Sequence, residues 1–341
     1  MAERNYLIDF LRFAASSWVV LFHLNEGIPL VDNGYRSFAK LGYLGVPIFF
    51  VVSGYCIALA AQSSKNSIDF LTKRFFRIFP CYWLSLLIVL IGIGFYILLR
   101  GQNSLVVLPR SLKDVSATIL LLTNPFSSVP TINWVYWSLT VEIFFYLAVA
   151  LSLLLKSKNR NFFILGLSAL SFFPRLFEIP GLFFLQQWPS FGIGLALYFL
   201  QIDKKISVMP LTILLLNSTN LIVGTHPAYY SIVSFLTLGA IAISIYWKDI
   251  PNNFFSKLGD YSYAVYLIHV PLGIYALGIF KTATIQVNVI YNVIYDLSML
   301  TLCIGISTVI FKYLELPAIK FGKKVAKRLN KKRSSLITVQ A

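Results

Sequence analysis

The first apolar stretch of the chain contains an arginine and a histidine, side chains that are costly to bury. Arg12 and His23 are eleven residues apart, so on a helix they point the same way, about 16 Å apart along the axis. Asn5, Asp9 and Ser16 fall on nearly the same face. Ionisable groups within a membrane helix usually mark a functional path, and a neutral imidazole is a good general base toward an alcohol. The alternative is an interfacial histidine without a catalytic role.

A second polar set recurs every four positions in an apolar stretch near the middle of the chain. Ser138, Glu142 and Tyr146 therefore share one helix face. A carboxylate at the depth of His23 would orient the imidazole by accepting its second N–H. We predict a dyad of His23 and Glu142. The alternative is a structural ion pair between this carboxylate and Arg12 or another cation.

A cluster of cations follows the second apolar stretch. Arg74 and Arg77 lie about one helical turn apart and Lys73 precedes them, an arrangement that suits phosphate binding. The excess of Lys and Arg in cytoplasmic loops of membrane proteins explains the same residues, and neither explanation excludes the other. We predict the segment from Lys73 to Trp83, which includes Tyr82, to be a loop between two spans.

Two further stretches place small or polar residues in apolar surroundings. Gly54, which follows Ser53, permits either close helix packing or the close approach of a ligand. Ser262, Tyr266 and His269 share a face of a later helix, and a histidine at mid-depth is costly unless its hydrogen bonds are satisfied. We predict that His269 lies in or beside the site. A hydrogen bond between helices is the alternative.

The composition is that of an integral membrane protein. Hydrophobic residues make up 57% of the 341 residues and charged residues 12%, with a mean hydropathy of +0.75. Several stretches reach the ~20 residues needed to span a bilayer. The net charge of +16 could suggest a nucleic-acid partner, but the cations lie between and after the apolar stretches. We therefore expect a lipid bilayer and no nucleic acid as partner. The three cysteines have no metal-binding spacing.

The apolar stretches predict an all-α, polytopic bundle of about ten transmembrane helices. An even number places both termini on one side. With both termini in the cytoplasm, 21 Lys and Arg lie on that side and 7 lie outside, so the positive-inside rule favours this orientation. The predicted spans are 7–24, 41–62, 81–99, 138–155, 161–178, 182–200, 206–223, 231–247, 262–280 and 289–311.

Two segments lie outside these spans but carry a pattern of their own. The apolar piece 115–123 is too short to cross a bilayer, and we predict a re-entrant or interfacial helix there. We place the end of the transmembrane domain at Pro317, so that residues 318–341 form a basic cytoplasmic tail. Because the tail is amphipathic and basic, we expect it to lie along anionic lipid headgroups.

Taken together, these residues resemble the acyltransferase-3 family of membrane proteins, which O-acylates bacterial surface polysaccharides, lipopolysaccharide and related acceptors. Each motif is weak alone, but six occur in order over nearly the whole chain. They are Arg12-x10-His23, Phe49-Phe50-x-x-Ser53-Gly54-Tyr55, Arg74-x-x-Arg77-Ile-x-Pro80, Trp137-Ser138-Leu-x-x-Glu142-x-x-Phe145-Tyr146, Tyr261-Ser262-Tyr263-x-x-Tyr266-Leu-x-His269-x-Pro271 and Glu315-x-Pro317.

The resemblance implies a stand-alone acyltransferase domain, residues 1–317, in the bacterial inner membrane. It implies a cytoplasmic acyl-CoA donor, expected to be acetyl-CoA, as co-substrate rather than bound cofactor. The implied acceptor is an extracytoplasmic envelope polysaccharide or lipid-linked glycan. From the residues themselves we predict that His23, Glu142 and Arg12 are catalytic. We predict that the substrate-binding residues are Ser53, Gly54, Lys73, Arg74, Arg77, Tyr82, Ser138, Tyr266 and His269.

A transporter or flippase for a lipid-linked saccharide is the alternative function. On composition alone, about ten spans with intramembrane charge suit that class equally well. Transporters more often show internal repeats and helix-breaking Gly/Pro pairs in matching positions, and neither is evident in this sequence.

Overall fold

The computed structural model describes residues 4–27, 33–101, 108–122, 126, 132–202 and 207–340. In these residues the chain is helical and contains no strand. The helices are α1 Tyr6–Glu26, α2 Gly34–Lys40, α3 Gly45–Gln62, α4 Ser67–Arg100, α5 Leu112–Ile119, α6 Tyr136–Ser152, α7 Ser157–Leu170, α8 Trp188–Ile202, α9 Val208–Val223, α10 Ala228–Tyr246, α11 Phe254–Leu258, α12 Ser262–Val270, α13 Ala283–Val287, α14 Val289–Ile310 and α15 Leu316–Gln340.

The predicted class, an all-α membrane protein, is confirmed. A helix lies at each predicted span, and five helical segments in the described chain are long and apolar enough to cross a membrane. Their outward side chains are apolar, for example Ile91 and Leu98 of α4 and Leu236 of α10, as lipid contact requires. The count of ten spans and the cytoplasmic termini remain predictions, and Lys204 and Lys205, which entered the charge count, lie outside the described residues.

The loop predicted between the second and third spans is wrong. Residues 67–100 form the single helix α4, which is 34 residues long and passes through Pro80. The third span was predicted to begin at residue 81, directly after this proline. Proline removes only one N–H donor, however, and an otherwise apolar helix keeps its remaining hydrogen bonds on both sides. The cations Lys73, Arg74 and Arg77 therefore lie on a helix, in its N-terminal half.

The chain forms two compact units, each built from separated segments. Unit 1 comprises residues 1–48, 81–140 and 248–313, and unit 2 comprises residues 49–80, 141–247 and 314–341. In unit 1, α1 packs against α11, α12 and α14 around a core of Val20, Leu24, Val265, Met299 and Cys303.

Unit 2 is centred on aromatic packing and on small-residue contacts between helices. Phe145 of α6 stacks on Phe191 of α8 with ring centroids 4.1 Å apart, and Trp188 packs against both. Hydroxyl and amide side chains connect neighbouring helices, as when Asn217 of α9 donates to the Ser168 hydroxyl of α7 over 2.9 Å. Close packing and such bonds are how helices associate without a hydrophobic driving force.

The predicted interfacial segment and the basic tail are both helical. Helix α5 covers most of the segment 115–123, and its Thr118 and Ile119 carbonyls accept hydrogen bonds from Tyr82 and Trp83 of α4. Residue 123 lies outside the described residues.

The tail forms α15, and side chains of this helix pack on the first half of α4. The tail therefore contacts protein as well as any lipid. Phe321 packs on Phe76 with ring centroids 5.3 Å apart, and the Asn330 amide donates to Asp69 over 3.0 Å.

Candidate functional site

The predicted site residues fall into two groups, one in each compact unit. The group in unit 1 is carried by α1, which is anchored at its N-terminal end. Asn5 caps the helix by accepting the Ile8 N–H over 2.9 Å. The Asp249 carboxylate accepts the N–H groups of Tyr6 and Leu7 over 2.6 and 3.0 Å. A carboxylate at a helix N-terminus also complements the helix dipole, so the start of α1 is held in place.

His23 lies in the last turn of α1, with 12% of its side chain exposed. Its Nδ1 atom is 3.2 Å from the Glu26 carboxylate and also 3.2 Å from the indole Nε1 of Trp134. The ring stacks on His269, with centroids 5.3 Å apart and ring planes 27° apart. Because both neighbours of Nδ1 contact the same nitrogen, Nε2 is the nitrogen left to meet a substrate.

His269 is buried, and its ring lies against that of His23. Its Nδ1 lies 3.2 Å from the Val265 carbonyl, which can only accept, so Nδ1 carries the proton and Nε2 carries a lone pair. Among the residues that the structure describes, this Nε2 has no hydrogen-bond partner. An unsatisfied buried acceptor is costly, and a substrate hydroxyl or amide N–H would satisfy it.

Ser138 and Tyr266 are also brought together. Their hydroxyl oxygens are 2.7 Å apart, both side chains are buried, and each can donate to the Val135 carbonyl over 3.1 Å. This pairing links the first turn of α6 to α12 beside His269, since the Tyr266 and His269 rings are 5.8 Å apart. The two hydroxyls therefore satisfy one another, and their first effect is to hold α6 against α12.

A buried ionic network lies next to His23 on α1, and none of its members is among the site residues predicted from the sequence. Asp296 of α14 accepts hydrogen bonds from Asn25, Tyr35 and Lys281 over 2.7, 2.8 and 2.7 Å. The Lys281 ammonium also donates to the Leu24 carbonyl over 2.7 Å. Burial lowers the pKa of Lys281, and the adjacent carboxylate opposes that shift. Two features of the sequence could have indicated this network. Asp296 is the one charged residue in the 22-residue sequence of α14, and Lys281 lies shortly before that helix.

Glu142 belongs to the group in unit 2. One of its carboxylate oxygens accepts the hydroxyls of Ser53 and Tyr146, over 2.8 and 2.7 Å. Glu142 and Tyr146, which were predicted to share a helix face, are therefore in direct contact. Ser53 of α3 contacts the same carboxylate. His23 has its polar contacts in unit 1, with Glu26 and Trp134, so a catalytic dyad of His23 and Glu142 stays a prediction.

The three predicted phosphate-binding cations differ in their surroundings. Lys73 contacts Asp69 over 2.7 Å, and Arg77 contacts the buried Glu315 over 2.6 Å. The Arg74 guanidinium lies 5.9 Å from the ring centre of Phe70 and 5.8 Å from that of Tyr146. Within the described part of the chain, its buried Nε has no hydrogen-bond partner. Arg74 is therefore the cation best placed to accept an additional anionic partner.

For Gly54 the structure favours the packing alternative. A Cβ atom at this position would lie 2.0 Å from the Phe191 carbonyl oxygen of α8. The contact is reciprocal, because a Cβ at Gly194 would lie 2.0 Å from the Val51 carbonyl oxygen of α3. Two glycines therefore let the backbones of α3 and α8 touch.

Tyr82, predicted to bind substrate, is fully buried in unit 1 and donates its hydroxyl to the Thr118 carbonyl, so its contact is structural.

Arg12 is half-buried on α1, in the same unit as His23. The polar group described near it is Asp9, which interacts with it electrostatically and also accepts a 2.5 Å hydrogen bond from Arg4. A role in the path from one membrane face to the other therefore remains a prediction.

The third histidine, His226, lies in the α9–α10 loop and stacks on Tyr230 at 4.4 Å. Burial lowers its pKa, although a hydrogen bond to the Gln186 carbonyl opposes the shift.

The chain is a polytopic helical membrane protein that carries two stacked imidazoles in unit 1 and a carboxylate bound by two hydroxyls in unit 2. The profile of the acyltransferase-3 family, described as an acyltransferase domain, matches residues 5–313. The chain belongs to this family, as the sequence motifs predicted. The match places it among acyltransferases and gives no support to the transporter alternative.

Several known proteins are similar to the chain. O-acetyltransferase OatA of Staphylococcus aureus (strain MRSA252) is 26% identical over 96% of this chain and 59% of its own length. A putative O-acetyltransferase of S. aureus (strain COL) is 24% identical over 95% of this chain and 58% of its own length. Peptidoglycan O-acetyltransferase OatA of Listeria monocytogenes is 36% identical over 28% of this chain and 15% of its own length.

The chain thus spans about three fifths of the length of the Staphylococcus relatives. No solved structure matches the chain.

Proposed function

We propose that the chain is a membrane O-acetyltransferase of the bacterial cell membrane. It transfers an acetyl group from cytoplasmic acetyl-CoA to a hydroxyl of an extracytoplasmic glycan. In the net reaction one C–O bond forms, the C–S bond of the thioester breaks, and the hydroxyl proton ends on the CoA thiol. The names of the relatives support O-acetyl transfer as the reaction. The name of the Listeria relative, a peptidoglycan O-acetyltransferase, supports a cell-wall glycan as acceptor.

The observation that carries the proposal is the pairing of two imidazoles in unit 1. When Nδ1–H of His23 donates to Glu26, Nε2 holds a lone pair that can take the proton of an acceptor hydroxyl. The lone pair on Nε2 of His269 accepts a second donor of the same glycan, such as a neighbouring hydroxyl or amide. A sugar supplies such adjacent donors, whereas a simple hydrophobic alcohol does not.

The group in unit 2 supports binding of the donor. CoA carries several phosphates, and the buried Nε of the Arg74 guanidinium has no hydrogen-bond partner among the described residues. Ser53, Glu142 and Tyr146 supply a carboxylate with two hydroxyls, which fits a role in guiding the acyl group. Arg12 and His23 on α1 would serve the transfer toward the acceptor.

The test is transfer by purified protein in proteoliposomes supplied with acetyl-CoA and soluble peptidoglycan fragments. We expect free CoA to be released and acetyl esters to form on the glycan. His23→Ala is expected to reduce CoA release and acetyl ester formation to background. His226→Ala is the matched control and should keep both activities, because His226 contacts Gln186 and Tyr230. Thioester that stays intact in the wild type would refute acetyl-CoA as donor, and full activity in His23→Ala would refute the base.

A further inference from the structure

The two neighbours of His23 Nδ1 make opposite demands on that nitrogen. Both lie at 3.2 Å. The indole N–H of Trp134 can only donate, so it requires a lone pair on Nδ1. The Glu26 carboxylate, when ionised, can only accept, so it requires a proton on Nδ1. Both hydrogen bonds cannot exist at once in a neutral imidazole.

Each neighbour therefore selects one tautomer of His23. When Nδ1–H donates to Glu26, Nε2 holds a lone pair and can take a proton. When Nδ1 accepts from Trp134, Nε2 holds the proton and cannot act as a base. Which nitrogen of a histidine is protonated follows from the hydrogen bond that the other nitrogen makes.

We propose that Glu26 is the positioning carboxylate of His23 and that the Trp134 indole stabilises the opposite, unreactive tautomer. This inference rests on the proposed role of His23 as the base. Glu26 acts through the imidazole and does not contact the reacting atoms. It gives His23 a carboxylate partner within unit 1, one helical turn away on α1. A hydrogen bond to an ionised group is also stronger than a neutral one, so Glu26 favours the reactive tautomer over the indole.

The position of Glu26 supports this role. A negative side chain at a helix C-terminus is unfavourable, because the helix dipole presents negative charge there. Glu26 is the last residue of α1, so helix stability does not account for it. The same dipole, together with the carboxylate, stabilises the imidazolium that forms when His23 takes the hydroxyl proton. The carboxylate side chain is 54% exposed, so its effect on folding is expected to be small.

The tautomer can be measured independently of activity. Nitrogen-15 spectra of histidine-labelled protein in lipid bilayers distinguish an N–H nitrogen from one with a lone pair. The chain has three histidines, and the signals lost in His23→Gln identify His23. We expect Nδ1–H in the wild type, more of it in Trp134→Phe, and conversion to Nε2–H in Glu26→Ala. An unchanged tautomer in Glu26→Ala would overturn the inference, whatever the activity.

Kinetics test whether the tautomer matters for transfer. Glu26→Ala is expected to lower kcat about ten- to a hundredfold without changing the KM for the donor, less than the loss of the base itself. Adding Trp134→Phe removes the competing donor and is expected to restore most of the rate. Glu26→Gln keeps a hydrogen-bond acceptor and is expected to lower kcat less than Glu26→Ala does. The exposed Glu178→Ala is the control and should behave as the wild type.

The outcomes separate this inference from the proposed function. A wild type that acetylates glycan, combined with no rescue by Trp134→Phe, overturns the role of Glu26 and leaves the function standing. A wild type that transfers no acetyl group overturns the proposed function, and the spectra then report only how His23 is held.

Discussion

Replacing Gly54 with alanine tests whether this glycine serves packing or a ligand. The added Cβ would lie 2.0 Å from the Phe191 carbonyl oxygen, 2.9 Å from its carbon and 3.0 Å from the Leu195 nitrogen. Ordinary van der Waals contact begins at 3.4 Å, so α3 and α8 would have to separate by about 1.4 Å. The blocking atoms belong to the backbone and cannot rotate away, so the cost falls on the packing of both helices.

The magnitude follows from two opposing effects. Overpacking typically costs about 1–3 kcal/mol, and a backbone clash belongs at the upper end. Alanine is a better helix former than glycine by about 1 kcal/mol, which offsets part of the cost. We therefore expect Gly54→Ala to destabilise the protein by about 2 kcal/mol. Gly239→Ala is the matched control, because a Cβ there meets nothing within 4 Å, and it should be neutral or slightly stabilising.

The assay is thermal unfolding of purified protein in detergent, followed by tryptophan fluorescence, with acetyl transfer measured below the transition. We expect Gly54→Ala to lower Tm while Gly239→Ala does not. A Gly54→Ala protein with the wild-type Tm but little activity would refute the packing argument. It would show that a ligand, rather than α8, meets this residue.

Three other predictions concern charges. Arg74→Ala should raise the KM for acetyl-CoA more than Arg77→Ala, because Arg77 contacts Glu315, and equal kinetic effects would contradict this. Asp296→Asn leaves Lys281 buried without a counterion and should cost about 3–5 kcal/mol in a denaturation assay, whereas Asp296→Leu with Lys281→Met should recover much of that stability. If His23 and Glu142 act as a unit, the turnover of His23→Ala with Glu142→Gln should match that of His23→Ala alone; losses that simply add would give Glu142 a separate role.

The sequence predicts the helices well because long apolar stretches, and the polar residues that separate them, are local properties. The predicted loop around Pro80 was wrong, because proline locally favours a break and the surrounding helix overrides that preference. Predicted helix faces were also reliable. The spacing of Ser138, Glu142 and Tyr146 is fixed by helix geometry, and the contact between Glu142 and Tyr146 follows from it.

Partners from distant segments could not be predicted in the same way. Nothing local indicates that Asp296 meets Asn25, that Lys281 meets the Leu24 carbonyl, or that Trp134 reaches His23. These pairings depend on how helices pack, and a single sequence gives no distances between them. Glu26 follows His23 by three residues, a spacing at which side chains of a helix meet, so this contact could have been predicted from the sequence.

The network around Asp296 has a consequence for biogenesis. Asn25 enters the membrane early in synthesis, and the carboxylate it binds is made 271 residues later. Until α14 is made, the Lys281 ammonium lacks its carboxylate, and the Asn25 amide has the Leu21 carbonyl but not Asp296 as an acceptor; unpaired polar groups of this kind are costly in lipid. The end of α1 that carries His23 therefore reaches its final arrangement only after α14 has been made. A nascent chain released before that point would leave Lys281 and Asn25 without the carboxylate that both bind in the folded protein.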